Sequence, residues 1–241
     1  MFKRIFQLWI FFAVGTLLSA QEAPSTVRIN FSVFPLGPGD WSGLYYSPVG
    51  DPRSSVEEIF FNPHERTMGY CYSGPAEMHF YREWVDAEGA LAYRTIATAD
   101  LLPTNEDRIL FFQPSPEQTK RFKVDVMIET PDSFPDQSIV FYNTTNVPFF
   151  GKLGSQHVEL RPGISDPIDV SPYFEEPAPI ALVVNDGKKL RKVLMNKLRF
   201  SPQRRTLFIL RPPKEAGSLR IRSQRLTEFT GPRESINQNN I

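Results

Sequence analysis

Val27-Arg28-Ile29-Asn30-Phe31-Ser32-Val33-Phe34 decides how the chain is read. Val27, Ile29, Phe31 and Val33 alternate with Arg28, Asn30 and Ser32, the two-residue period of a strand with one face buried. Short runs rich in Val, Ile, Phe and Tyr recur from there to Leu219–Gln224. Almost all of the 22 prolines fall between them, as turn punctuation does. No stretch keeps a helical period for three turns. The best helical candidate, Lys188 to Lys197, reads as a strand because of its flanking charges and Pro202. The sequence therefore predicts an all-β protein.

A weak internal repeat organises these runs. Shifted by about 80 residues, Ile59-Phe60-Phe61 falls on Ile139-Val140-Phe141, Met78 on Val158 and Phe80 on Leu160. Shifted by 98, Ile109-Leu110-Phe111-Phe112 falls on Leu207-Phe208-Ile209-Leu210, each run followed closely by Pro. The difference predicts an insertion of about 18 residues in the second copy, around Ser165 to Pro179. Two tandem β-sandwiches result, over residues 21–130 and 131–230, joined near Thr130 to Gln137.

At the chain start, Lys3 and Arg4 precede an apolar run from Ile5 to Leu18, and Leu18-Ser19-Ala20 offers a cleavage site, so residues 1–20 read as a secretory signal peptide. The alternative is an uncleaved anchor. No later run has the length of a membrane helix, so cleavage leaves no transmembrane anchor. The single mature cysteine, Cys71, closes no intramolecular disulfide, which points to a bacterial periplasmic, envelope or secreted product rather than a bridged eukaryotic one. Residues 231–241 are polar and read as a disordered tail.

From its signal through both strand series, the chain resembles uncharacterised secreted bacterial proteins built from Ig-like β-sandwich repeats. The resemblance rests on the layout and on Ser138 to Gly163, where a strand, a polar turn, a glycine-flanked strand and a closing Arg161-Pro162-Gly163 follow in that style. It implies a non-catalytic envelope or surface role and carries over no residue.

Chemistry is sparse. His64, His79 and His157 lie in no metal-type spacing, so neither a metal site nor a cofactor is expected. His79 and His157 read as edge or polar-face residues at matching places of the repeat. No nucleophile elbow, phosphate loop or dinucleotide fingerprint is present. The pairs Glu57-Glu58, Glu106-Asp107 and Glu175-Glu176 invite a glycosidase reading, but neighbours on a strand face opposite ways and do not flank one bond. Cys71, between Tyr70 and Tyr72, reads as a packed thiol.

Two features point to binding. Residues 21–187 hold 11 Lys and Arg against 24 Asp and Glu, whereas 188–225 hold 13 basic residues against Glu215 alone. Within that basic stretch Lys188, Lys189, Arg191, Lys192, Arg204, Arg205, Arg220 and Arg222 are candidates for a polyanion or an acidic envelope partner. Alternation predicts a solvent-open patch containing at least Arg191, Arg220 and Arg222. Neutralisation by the acidic half of the same chain is the alternative. No specific nucleic-acid recognition is read. The aromatics of the first repeat, Trp41, Tyr45, Tyr46 and Trp84, are the candidates for stacking sugar rings, with Trp41 expected near the surface. The leading reading is a non-enzymatic exported protein that binds or scaffolds through its sandwich surfaces. A carbohydrate-binding module is the alternative, and a glycan-active hydrolase comes third.

Overall fold

The computed structural model describes residues 26–62, 65–115, 122–215 and 217–231. The expected signal segment, His64 and the tail after Gly231 lie outside them. Among the described residues there are strands and one short 3-10 turn, Ser171–Tyr173, and no α-helix. No helix is long and apolar enough to cross a membrane.

Seventeen strands form four sheets. In the first half, β1 (Thr26–Pro35), β4 (Tyr70–Pro75), β7 (Asp107–Pro114) and β8 (Phe122–Glu129) make an inner sheet in the order β4-β1-β7-β8. An outer sheet has the order β3-β2-β5-β6, from β2 (Tyr45–Tyr46), β3 (Glu57–Glu58), β5 (Glu77–Val85) and β6 (Leu91–Asp100). The second half repeats both orders. Its inner sheet holds β9 (Ser138–Asn143), β12 (Gly163–Ile164), β13 (Ile168–Asp169), β16 (Arg204–Arg211) and β17 (Arg222–Phe229), running β12-β9-β16-β17 with β13 also on β9. Its outer sheet runs β11-β10-β14-β15, from β10 (Phe149–Leu153), β11 (Gln156–Leu160), β14 (Ala178–Asn185) and β15 (Leu190–Leu198).

Each half buries a core between its own two sheets. A third core joins the inner sheets to one another, through residues such as Phe34, Phe111 and Met127 of the first half and Val140, Tyr142 and Ile209 of the second. The inner sheets are thus covered on both faces. That explains why Ile109–Phe112 and Leu207–Leu210 are unbroken apolar runs and why β1–β7 and β9–β16 pair in parallel, as doubly buried strands do. Leu110 and Phe112 fill the first core while Ile109 and Phe111 fill the central one. Phe208 and Leu210, Leu207 and Ile209 divide in the same way. The alternation expected of β1 holds only over its first turns. From Phe31 on every residue is buried, Ser32 and Phe34 included, because the partner sheet covers them.

The structure corrects the repeat. Leu110 corresponds to Phe208 at the expected separation of 98, but Val33 matches Phe141 at 108 and Phe80 matches Leu182 at 102. The 80-residue offset is not realised, since β9 answers to β1, and Met78 on β5 has no relation to Val158 on β11. Nor do His79 and His157 match, for the same reason. The second copy is shorter, with no 18-residue insertion; Ser165 to Pro179 holds β13 and the 3-10 turn that leads into β14. Both copies carry a register shift in the same place, after Phe80 and after Leu182, which leaves Ile96 and Val193 unpaired and buried. Such bulges are placed features rather than defects.

A ring of charge closes the junction. Arg66 contacts Glu129 at 2.7 Å and Glu228 at 3.1 Å, and Arg205 contacts Glu228 at 2.8 Å and also Glu129. Glu129 and Glu228 are equivalent positions, each opposite the start of β7 or β16. The Arg205 guanidinium also lies 4.3 Å from the centre of the Phe134 ring.

Candidate functional site

Corresponding grooves open at the same end of the two halves. The first, of about 590 Å³, is lined by Pro38, Asp40, Arg82, Trp84, Ile96 and Phe122 among others. The second, of about 420 Å³, is lined by Val147, Val184, Asp186, Val193, Pro212 and Ile221 among others. Walked through the register, Arg82 answers to Val184, Trp84 to Asp186, Ile96 to Val193, Pro114 to Pro212 and Phe122 to Ile221. The loops entering them start alike, with Leu36 N–H donating to Phe112 O and Thr144 N–H to Leu210 O.

The two walls differ in chemistry. In the first groove Arg82 crosses to the Asp40 carboxylate at 3.1 Å and lies 5.9 Å from the Phe122 ring centre. Asp40 is held below the usual carboxylate range, chiefly by the Ser42 hydroxyl and N–H and then by Arg82. Trp84 stands 53% exposed with the Arg94 guanidinium 5.9 Å from its ring centre. In the second groove the residue answering to Arg94, Arg191, pairs with Asp186. That carboxyl, which also accepts the N–H groups of Lys188 and Lys189, is held at about 2.

The aromatic candidates do not act together. Tyr46 is buried in the first core, its hydroxyl donating to Glu57 at 2.7 Å, and burial pushes its pKa up. Trp41 is half-buried rather than a surface platform, stacked on Phe122 at 4.9 Å and tilted against Phe61 at 5.6 Å. Turn residues flank it, but its ring serves as core filler. Tyr45 is half-buried edge-on to Tyr93. Trp84 alone of the four is open.

The basic candidates are also dispersed. Lys188, Lys189, Arg191 and Lys192 belong to the turn and strand of the outer sheet, and Arg204, Arg205 and Arg222 to the inner one. Arg205 is consumed by the charge ring. Within the inner sheet, alternation places Arg205, Arg211 and Arg222 on the face toward the first half, and Arg204 and Arg225 on the other. The expected single patch of Arg191, Arg220 and Arg222 therefore does not form, because Arg191 is on another sheet and already paired. Arg220 precedes β17 and is exposed.

One pair escaped the sequence reading. Arg211 stands directly opposite Arg222 across β16 and β17. Neither has a carboxylate within ion-pair distance among the described residues. Arg222 donates to Pro212 O at 2.9 Å, and the Arg211 guanidinium packs on the bare face of Gly37, whose φ of +91° itself favours glycine. Desolvation and then Arg222 pull the Arg211 pKa down. The equivalent pair in the first half is Gln113 and Lys123, and there Asp125 serves both, accepting from Gln113 at 2.6 Å and pairing with Lys123 at 2.8 Å. The position answering to Asp125 is Gln224.

No family model and no curated protein matches the chain. Cys71, expected to be buried, is exposed. Tyr70 and Tyr72 point into the first core, so alternation turns Cys71 to the opposite face, beside Asn30, whose side-chain oxygen accepts from the thiol at 3.3 Å. His79 lies 3.2 Å from Glu77, and among the described residues no group able to hold a metal is found.

Proposed function

We propose that the protein is a non-enzymatic, exported envelope or surface protein of two Ig-like sandwich units that binds an anionic partner, with Arg211 and Arg222 at the centre of the contact. The observation that carries this reading is the missing counter-ion. Like charges directly opposite on antiparallel strands destabilise a sheet, and the first half relieves the equivalent position with Asp125, whereas the second half has Gln224 there. Arginine suits bidentate capture of carboxylate, sulfate or phosphate. Export rests on the basic start, apolar run and Ala20 of the first twenty residues. Retention on a heparin surface should fall as salt rises, and the double variant Arg211→Gln, Arg222→Gln should lose it while keeping the far-ultraviolet spectrum of the parent. Retention unchanged in that variant would discard the reading.

A second reading is favoured by Trp84. An open indole flanked by Arg82, Arg94 and Glu83 in a groove of about 590 Å³ combines a stacking face with hydrogen-bonding groups, the arrangement by which a sugar ring is held. Glycan binding that survives high salt and disappears in Trp84→Ala would favour it.

A further inference from the structure

We propose that the end groove of the second half binds a single-chain anionic amphiphile, its alkyl chain lying between the two sheets and its head group meeting the basic turn at the mouth. The floor is apolar and continuous with the core, since Phe149, Val184, Val193 and Ile221 line the groove and belong to the second core. Val147, Pro212, Pro213 and Leu219 extend the apolar wall outward. Its volume of about 420 Å³ lies within the range of small-molecule sites.

The equivalent groove of the first half shows what would close such a cleft. There Arg82 reaches to Asp40 across the Phe122 ring, and Trp41 stacks on that same ring. The second half has Val184 where Arg82 stands, a side chain too short to cross. The mouth is cationic. Lys188 and Lys189 occupy the turn whose base, Asn185 and Asp186, lines the groove, and Arg220 lies between the lining residues Leu219 and Ile221. All three cations are exposed and make no ion pair among the described residues. The one acid in the lining, Asp186, is already neutralised by Arg191 and two backbone N–H groups. An apolar floor under an uncompensated positive rim selects a ligand with the reverse order, a hydrocarbon chain ending in carboxylate or phosphate. This site is on the opposite side of the inner sheet from Arg211 and Arg222, so the two proposals stand or fall separately.

The test is calorimetric titration of the full chain, below micelle-forming concentrations, with octanoate, decanoate, dodecanoate, dodecyl phosphate and dodecanol. Affinity should rise about fourfold per added methylene, and dodecanol should bind more weakly than either anion. Tighter binding of dodecyl phosphate than of dodecanoate would assign the ligand to single-chain phosphate lipids such as a lysophospholipid, the reverse order to a free fatty acid. Lys188→Glu with Lys189→Glu should weaken the anions and spare dodecanol. Val193→Trp, which fills the floor, should abolish binding, and Leu219→Asp on the exposed wall repeats that test without touching the core. Gln224→Glu should leave the binding intact even where it removes retention on heparin. Affinity independent of chain length, dodecanol binding as well as the anions, or full binding in Leu219→Asp would each overturn the proposal.

Discussion

At the end of the first half, Arg82 spans the cleft to Asp40 and Trp41 roofs Phe122; at the same end of the second half, Val184 and Ile221 occupy the equivalent places and the cleft stays open. The backbone frame is shared down to the bulge at Ile96 and Val193. The cross-strand pairs on that frame have diverged: Arg94 lies over Trp84 in one copy, and Arg191 pairs with Asp186 in the other. Strand order and bulge are therefore held constant while the residues lining each groove differ. The Asp125 and Gln224 positions diverge likewise, leaving one half neutral and the other cationic at a matched spot.

The largest effect should come from asking whether the halves are separable. Gly151 on β10 lies so close to the Ala181 carbonyl that an added Cβ has no room. Gly151→Ala should destabilise the protein by more than about 4 kcal/mol, at the exceptional end of single substitutions. Trp41 and Trp84 both lie in the first half. Because at least eleven apolar residues share the central core, each contributing about 1.5–3 kcal/mol on full burial, urea unfolding followed by tryptophan fluorescence should shift with a substitution in the second half. An unshifted fluorescence transition would mean that the halves fold independently.

Next in size is Arg108, whose counterpart in the second half is Thr206. The Arg108 side chain is fully buried, and its guanidinium donates to Leu101 O at 3.3 and 3.2 Å and also to the carbonyls of Thr104, Glu106 and Asp107. Removing it orphans those carbonyls, so Arg108→Ala should cost about 3–5 kcal/mol, as breaking a buried charged contact does. A loss under 1 kcal/mol by chemical denaturation, about the value of one ordinary hydrogen bond, would show that the loop rearranges freely.

The charge ring gives a smaller, more specific signal. Arg66→Ala and Arg205→Ala share both glutamates, so their effects should fail to add by about 1 kcal/mol in a double-mutant cycle. Additivity would show four separate contacts rather than one clasp. The smallest expected effect concerns pH at the second groove. Asp186 has its folded pKa depressed from the ordinary 3.8 to about 2. The stability it adds to the turn is therefore present above about pH 4 and lost as pH falls through about 2. A carboxyl titration by nuclear magnetic resonance should have its midpoint near 2, and a midpoint at the ordinary carboxylate value would show that the pairing with Arg191 does not persist in solution.

Strand class and the correspondence of Ile109–Phe112 with Leu207–Leu210 were legible because both follow from local pattern: two-residue alternation, apolar runs and terminating prolines. The 80-residue offset failed because apolar residues match one another at almost any shift in a β protein, and connections of unequal length hide the true partner of β9. Cys71 was misjudged because parity with Tyr70 and Tyr72 assigns it to the outward face, whose covering depends on contacts with the other half. Tyr46 and Trp41 were drawn into the core by neighbours far along the chain. The grooves were illegible since each wall gathers four separated segments. Arg211 itself was within reach, since a separation of 98 carried one residue past the apolar run sets it against Gln113; but the connection to the next strand is one residue longer in the second copy, so Gln224 answers to Asp125 at 99 and the missing carboxylate stays hidden until the register is known.

The most direct measurement of the central claim restores that carboxylate. Gln224→Glu removes no cation and gives the second half the acid that the first half has at Asp125. On a heparin column the parent protein should be retained at low salt and released as salt rises, and Gln224→Glu should elute at markedly lower salt with its fold intact. Elution of the two at the same salt concentration would contradict an anion site at Arg211 and Arg222.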